Sequence, residues 1–322
     1  MTDVSATAAG TGVVFEQLVP AALAHRRALA EVFVADTTPV GTEEFLVAVQ
    51  IPRAHSLWFD RLAGYHDPLS TVEAIRQSLL VVGQRYLGIP ADAPSSLQRF
   101  DFVVEDLSVY RDDERSPLEG VVRLRPGGNS SARGYYDDVA FEAALTVGGA
   151  RAMTAGGGGV TFPRETYDEF RRLQQRQRPG AESGPPRDPL SPGEVGRRDP
   201  RNVVLARTHS PGGLVLVVDQ GHPSFFDHPY DHVPGPLILE CFRQAAVVCA
   251  TAEGLLDSPV AAVVAIEARF TGFGELGADI GCTARYCGGM DFGEIAIDVE
   301  LHQHGRRIAS ARVELAPYPD AE

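Results

Sequence analysis

Two apolar segments dominate the hydropathy pattern, Leu69–Val82 and Leu237–Ala250. The second, LILECFRQAAVVCA, carries three strongly polar residues, Glu240, Arg243 and Gln244. A helix apolar nearly all round is a buried helix. Asp67-Pro68 and Gly235-Pro236 precede the two segments and read as helix starts, a cap followed by proline at the first helical position. An extended stretch lies upstream of each, Phe45–Ile51 and Gly213–Val218. Downstream come runs that alternate apolar with polar, as half-buried strands do. In the first half these are Phe100–Val109, Leu118–Leu124 and Val139–Leu145. In the second they are Val260–Phe270, Asp279–Tyr286, Glu294–His302 and Arg307–Leu315. Gly127–Gly134 and Gly288–Gly289 read as hairpin turns. The pattern predicts an α+β fold in which one central helix is wrapped by an antiparallel sheet, made twice: a double hotdog.

The two halves also repeat chemically. His55, Phe59, Asp60, Glu73, Arg76 and Gln77 recur without a gap as His222, Phe226, Asp227, Glu240, Arg243 and Gln244, each 167 positions on. A duplicated fold needs only its apolar pattern, so polar positions kept in both copies point to a fixed polar site in each half. The expected organisation is a disordered leader over 1–12, a first repeat over 13–173, a Pro/Gly/Arg-rich linker over 174–200 and a second repeat over 201–322.

Composition narrows the function. The formal net charge of −14 disfavours a non-specific nucleic-acid binder, and an anionic substrate then needs a local arginine cluster. No apolar run is long enough to span a membrane, and the N-terminus lacks the basic start and apolar core of a secretory signal, so a cytoplasmic protein is expected. Cys241, Cys249, Cys282 and Cys287 match no CxxC pair or zinc spacing and read as reduced thiols. Gly156–Gly159 lacks the Lys-Ser/Thr of a P-loop and reads as a loose connection. Asn129-Ser130-Ser131 is a glycosylation sequon by pattern only, and Arg171–Arg178 reads as a solvated helix end.

Glu240 and Arg243 lie three apart, and Glu240 and Gln244 four apart, so they share a helix face. A surface ion pair fits badly on a helix with no other polar face. A buried carboxylate–guanidinium pair is costly unless it is paired or lines a wet pocket, so the reading is a structural ion pair or a pocket floor. His222 lies in DQGHPSFFDHPYDHVPG beside Asp227, His228, Asp231 and His232. These spacings match no metal signature, and no metal or cofactor is expected. His222 reads as a proton acceptor or as a turn histidine capping backbone.

The stretch HPSFFDHPYDHVPGPLILECFRQAA resembles the signature of the AfsA family of A-factor (γ-butyrolactone) biosynthesis enzymes, and PRAHSLWFDRLAGYHDPLSTVEAIRQS resembles that family's first repeat. PGPLILE also resembles the helix start of hotdog fatty-acid dehydratases. The family resemblance implies transfer of a β-ketoacyl group from acyl carrier protein or acyl-CoA to the hydroxyl of dihydroxyacetone phosphate, followed by aldol cyclisation to a butenolide phosphate. On that reading Glu240, Arg243, His222 and Gly235 are the catalytic candidates. Pro236 has no N–H, so the oxyanion donor from this helix start is Gly235 or Leu237. Glu240 or His222 would take the hydroxyl proton, and Arg243 with Arg76 would hold the phosphate. Glu73, Arg76, His55, Gln244, Asp227 and His232 are candidate substrate contacts. His228 has no repeat counterpart, and His232 matches His66 only with one residue gapped. A homodimer is compatible with this reading. The alternatives are a hotdog dehydratase or thioesterase, which needs no phosphate clamp, and a non-catalytic acyl- or lactone-binding protein.

Overall fold

The structure, a computed structural model, describes residues 12–128, 137–176, 187–208, 210, 212–289 and 295–319. Most of the expected leader, the Asn129-Ser130-Ser131 sequon, residues 129–134 of the first glycine-rich turn, and linker residues 177–186 lie outside the described residues.

The chain forms two compact units. The first contains β1 (Val34–Val40), β2 (Glu44–Ile51), helix α1 (Pro68–Tyr86), β3 (Ser95–Val104), β4 (Leu118–Gly127), β5 (Asp137–Val147) and β6 (Ala150–Thr161), with the middle residues of β3 grouped with the second unit. The second begins at Glu165 in helix α2 (Arg164–Arg176) and contains β7 (Leu205–Arg207), β8 (Leu214–Leu216), helix α3 (Gly235–Ala252), β9 (Ala261–Phe270), β10 (Gly281–Gly289), β11 (Ile295–Gln303) and β12 (Arg306–Pro317). Strand order in the first unit is β1-β2-β4-β5-β6-β3, and in the second β7-β8-β10-β11-β12-β9. Counted within each repeat the order is the same. The duplication therefore extends from residues to topology, and each unit is a hotdog.

Each sheet turns one face to its helix. On β4 burial alternates, with Leu118, Val122 and Leu124 inside, and on β11 Ile297, Val299 and Leu301 do the same. Helix α1 lies against β2 and β4 with Leu69, Val72, Ile75 and Val82 buried, and α3 lies against β10, β11 and β12 with Leu237, Ile238, Phe242 and Val247 buried. Removing these side chains from water supplies each unit's core stabilisation. β2 is buried on its other face as well, where Leu46 and Ala48 join Val13, Ala35 and Phe15.

Several expectations change. Gly156–Gly159 is not a loose connection but the middle of β6, paired in register with β5. A Cβ at Gly158 would come within 3.1 Å of the Val139 carbonyl, so the glycine permits close backbone approach. Gly288 and Gly289 end β10 after a bulge. The run to Val109 leaves β3 at Val104 and closes in a short 3-10 turn, Leu107–Tyr110, capped by Asp106. Beyond residue 186 the expected linker is folded, with a capping-box turn at Ser191–Glu194 and a second 3-10 turn at Pro200–Asn202. Among the described residues no helix is long and apolar enough to cross a membrane.

Candidate active site

The repeated Glu, Arg and Gln meet at the centre of each unit. In the second, Glu240 is fully buried and accepts five hydrogen bonds. Arg243 donates through Nε (2.9 Å) and Nη2 (2.6 Å), and Gln244 through Nε2 (2.6 Å). The other two come from Arg197, Nε at 3.0 Å and Nη2 at 2.7 Å. Burial alone would raise the Glu240 carboxyl, but Arg197 and Arg243 outweigh it and lower the pKa to about 2. Such a carboxylate has neither a vacant lone pair nor the basicity to take a substrate proton. The geometry therefore makes Glu240 the anchor of a buried ion cluster.

The first unit builds the same cluster. Glu73 accepts from Arg76 Nε and Nη2, both at 2.8 Å, from Gln77 Nε2 at 2.8 Å, and from Arg26 Nη2. Burial again opposes ionisation of Glu73, and Arg26 and Arg76 hold its carboxyl well below the usual range. Gln77 accepts from Phe33 N and donates to the Glu31 carbonyl, while Gln244 accepts from Val204 N and donates to the Asn202 carbonyl. Arg26, Glu31 and Phe33 are thus the counterparts of Arg197, Asn202 and Val204.

These upstream partners escape an ungapped comparison because they are offset by 171 positions rather than 167. The hairpin between the two regions is four residues shorter in the second copy. The available signal is Arg-Arg-x3-Glu/Asn-Val, read once at 26–32 and again at 197–203. Both copies enter this strap through a left-handed residue, His25 (φ 51°) and Gly196 (φ 67°). At Gly196 a Cβ would meet the Pro259 carbonyl at 2.5 Å, so only glycine fits there.

The repeated histidines fasten this strap. His222 Nδ1 accepts from Ser224 N and Phe225 N, both at 3.2 Å, and Nε2 lies 3.0 Å from Asn202 Oδ1. His55 Nδ1 accepts from Leu57 N and Trp58 N, and Nε2 faces Glu31 Oε2 at 3.2 Å. With both ring nitrogens committed in a buried turn, neither imidazole is placed to exchange a proton with substrate. Asn202 also donates to Asp60 Oδ2 at 2.7 Å. Asp60–Ala63 belongs to the second unit, where the Asp60 carboxylate accepts the backbone N–H groups of Arg198 and Asp199.

The helix starts differ. Asp67 caps α1, its side chain accepting from Leu69 N at 2.9 Å, and Pro68 is the first helical residue. The cap of α3 is Pro234, with no side-chain bond, so Gly235 is the first helical residue and Pro236 the second. This moves the expected Gly235 cap by one position. Leu237 N is bonded to the Pro234 carbonyl at 3.0 Å. Of the two donors weighed for an oxyanion, Leu237 is therefore taken, and Gly235 N–H has no acceptor among the described residues.

The family model for the A-factor biosynthesis hotdog domain, AfsA, matches residues 13–155 and again 181–319. The chain belongs to the AfsA family. The 2-oxo-3-(phosphooxy)propyl 3-oxoalkanoate synthase of Streptomyces virginiae is 29% identical over 92% of this chain and 96% of its own. The synthase of the same name from Streptomyces griseus is 28% identical over 89% and 92%. Among solved structures, the 12:0-ACP thioesterase from Umbellularia californica is 12% identical, covering 85% of this chain and 94% of that one, with a TM-score of 0.45.

In this AfsA-family chain the remaining candidates fall into distinct surroundings. The Arg243 side chain is 5% exposed and bound to Glu240, whereas Arg76 keeps 31% of its side chain open. The Asp227 carboxylate lies 3.5 Å from His228 Nδ1. His232 aligns structurally with Tyr65 rather than with His66. The peptide N–H of His66 and that of Val233 make the corresponding bonds, to the carbonyls of Tyr110 and Gly274. Arg171 is not a solvated helix end but a buried residue, donating to Asp231 and Glu275.

Proposed function

We propose that this chain joins a 3-oxoacyl group, delivered as a thioester on acyl carrier protein or coenzyme A, to the primary hydroxyl of dihydroxyacetone phosphate. The observation that carries this reading is the end-to-end match, both repeats included, to synthases named for that ester. The product named is a 3-oxoalkanoate ester of a 2-oxo-3-(phosphooxy)propyl alcohol, so the bond made is an acyl C–O bond.

The chemistry asks for a donor where negative charge develops on the thioester oxygen, and the uncapped start of α3 offers Gly235 N–H. As the hydroxyl oxygen attacks, the carbonyl oxygen becomes an oxyanion facing that donor. Collapse then expels the thiolate. Glu240, Arg243, Gln244 and His222 act as positioning residues in this reading. They tie the strap at 197–204 to α3 and so set where its first turn lies. Glu73, Arg76, Gln77 and His55 do the same for α1.

The test incubates the protein with a defined 3-oxoacyl thioester, with and without dihydroxyacetone phosphate, and follows products by mass spectrometry. Ester and free thiol appearing only with the phosphate are expected. Free acid or enoyl thioester formed equally without it overturns the reading.

A further inference from the structure

Glu240 and His222 are fully engaged, so neither is placed to accept the hydroxyl proton. Three residues before Gly235 stands a histidine of the opposite kind. We propose that His232, oriented by Asp231, is the general base that takes the hydroxyl proton during acyl transfer; this rests on the transferase reading above.

His232 Nδ1 lies 2.6 Å from Asp231 Oδ1. The carboxylate is itself fixed, accepting from Tyr167 Oη at 3.1 Å on both oxygens and from Arg171 Nε at 2.8 Å. Arg171 is held in turn by Glu275, through Nη1 at 2.7 Å and Nη2 at 2.9 Å. Its guanidinium lies over the Phe273 ring, 4.6 Å from the centroid. Phe273 also meets the His232 ring in an edge contact, with centroids 4.6 Å apart. A carboxylate on Nδ1 keeps the proton there and leaves the Nε2 lone pair available. Among the described residues no bond to Nε2 is formed, and 21% of the side chain is open to solvent. His222 is the internal contrast, because both of its nitrogens are spent inside the fold. Three separate segments, α2, the 231–232 turn and the 273–275 loop, converge to hold one imidazole whose working end is free. That is the support a reacting group needs, and it exceeds what a surface ion pair uses. At the ungapped positions of the first repeat stand Gly64 and Tyr65.

The step balances without another reactant. Nε2 takes the hydroxyl proton as the C–O bond forms. The C–S bond then breaks, and the imidazolium returns the proton to the departing thiolate.

The test measures kcat and KM of His232→Gln and Asp231→Asn in the ester-forming assay, with circular dichroism to verify folding. His232→Gln is expected to lower kcat about 10²- to 10⁴-fold while KM stays within about threefold. Asp231→Asn is expected to fall between that variant and wild type. A folded His232→Gln protein with kcat within about threefold of wild type overturns the assignment. Labelling with diethyl pyrocarbonate, mapped by mass spectrometry, reads the same claim without turnover. His232 should be modified well before His55 and His222, and more slowly in Asp231→Asn. If wild type makes no ester, the transferase reading fails on its own. Labelling then decides the availability of His232, and a His232 as protected as His222 overturns the proposal.

Discussion

The two repeats agree in their interiors and differ where their helices begin. Both bury a glutamate under two arginines and a glutamine, and both lock a histidine turn onto the strap that carries one of those arginines. At the first turn, however, α1 has a side-chain cap and a proline with no N–H, whereas α3 has neither cap nor proline at that position and leaves Gly235 N–H available. The Asp–His pair before α3 keeps a part-open imidazole, whereas the histidine before α1, His66, is buried with Asp112 3.7 Å from its Nε2. The two copies thus share what holds the scaffold and differ at the helix starts. Residues present in both copies hold the interior together here, and the proposed chemistry draws on residues present in one.

The largest test of that division removes the charge at the centre. Glu240→Gln leaves Arg197 and Arg243 buried without a counter-charge and should cost about 3–5 kcal/mol in denaturant unfolding. Glu73→Gln should cost less, because Arg76 can turn its partly open guanidinium toward water. Equal losses would break the comparison. Next in size is Gly235→Pro, which gives α3 the first residue that α1 already has. Proline is well tolerated at that position, so folding should persist while kcat falls about 10²- to 10³-fold. Gly235→Ala keeps the N–H and meets no neighbour within 4 Å, so its kcat should stay near that of wild type.

Acid should unload the cluster. The folded-state pKa of Glu240 is depressed, so its contribution is complete above the ordinary glutamate value of 4.5 and is lost as pH falls toward about 2. The loss is on the order of 3 kcal/mol across that window, readable as a steepening fall in the unfolding midpoint below pH 4.5. A flat stability profile there would show that Glu240 is not held ionised. The smallest expected effect is Asp67→Ala, about 1 kcal/mol of stability from the lost cap. With α3 lacking any side-chain cap, no substitution at Pro234 should reproduce it.

Much of this was legible in the sequence because burial leaves a mark. The helices α1 and α3 announce themselves as apolar runs, and Glu240, Arg243 and Gln244 draw attention as the polar exceptions in the second. The strap residues Arg26 and Arg197 did not, since their side chains become partners only through the fold and a four-residue shift hides their correspondence. β6 gives no such mark, because a run of glycines has no hydropathic period. Arg171 reads as solvated because α2 is rich in charged residues, and one buried guanidinium in such a segment carries no local signal. His222 and His232 sit ten residues apart in the same polar loop, and only coordinates show that one has no free nitrogen and the other has.

Asp60 is encoded with the first repeat yet packs with the second, where three donors, Arg198 N, Asp199 N and Asn202 Nδ2, depend on its carboxylate. A half-length polypeptide starting at Glu165 would leave those three donors orphaned. The border between the copies in the sequence is therefore not the border between the folded units, and a cut placed by the repeat alone would strip the second unit of a carboxylate it uses.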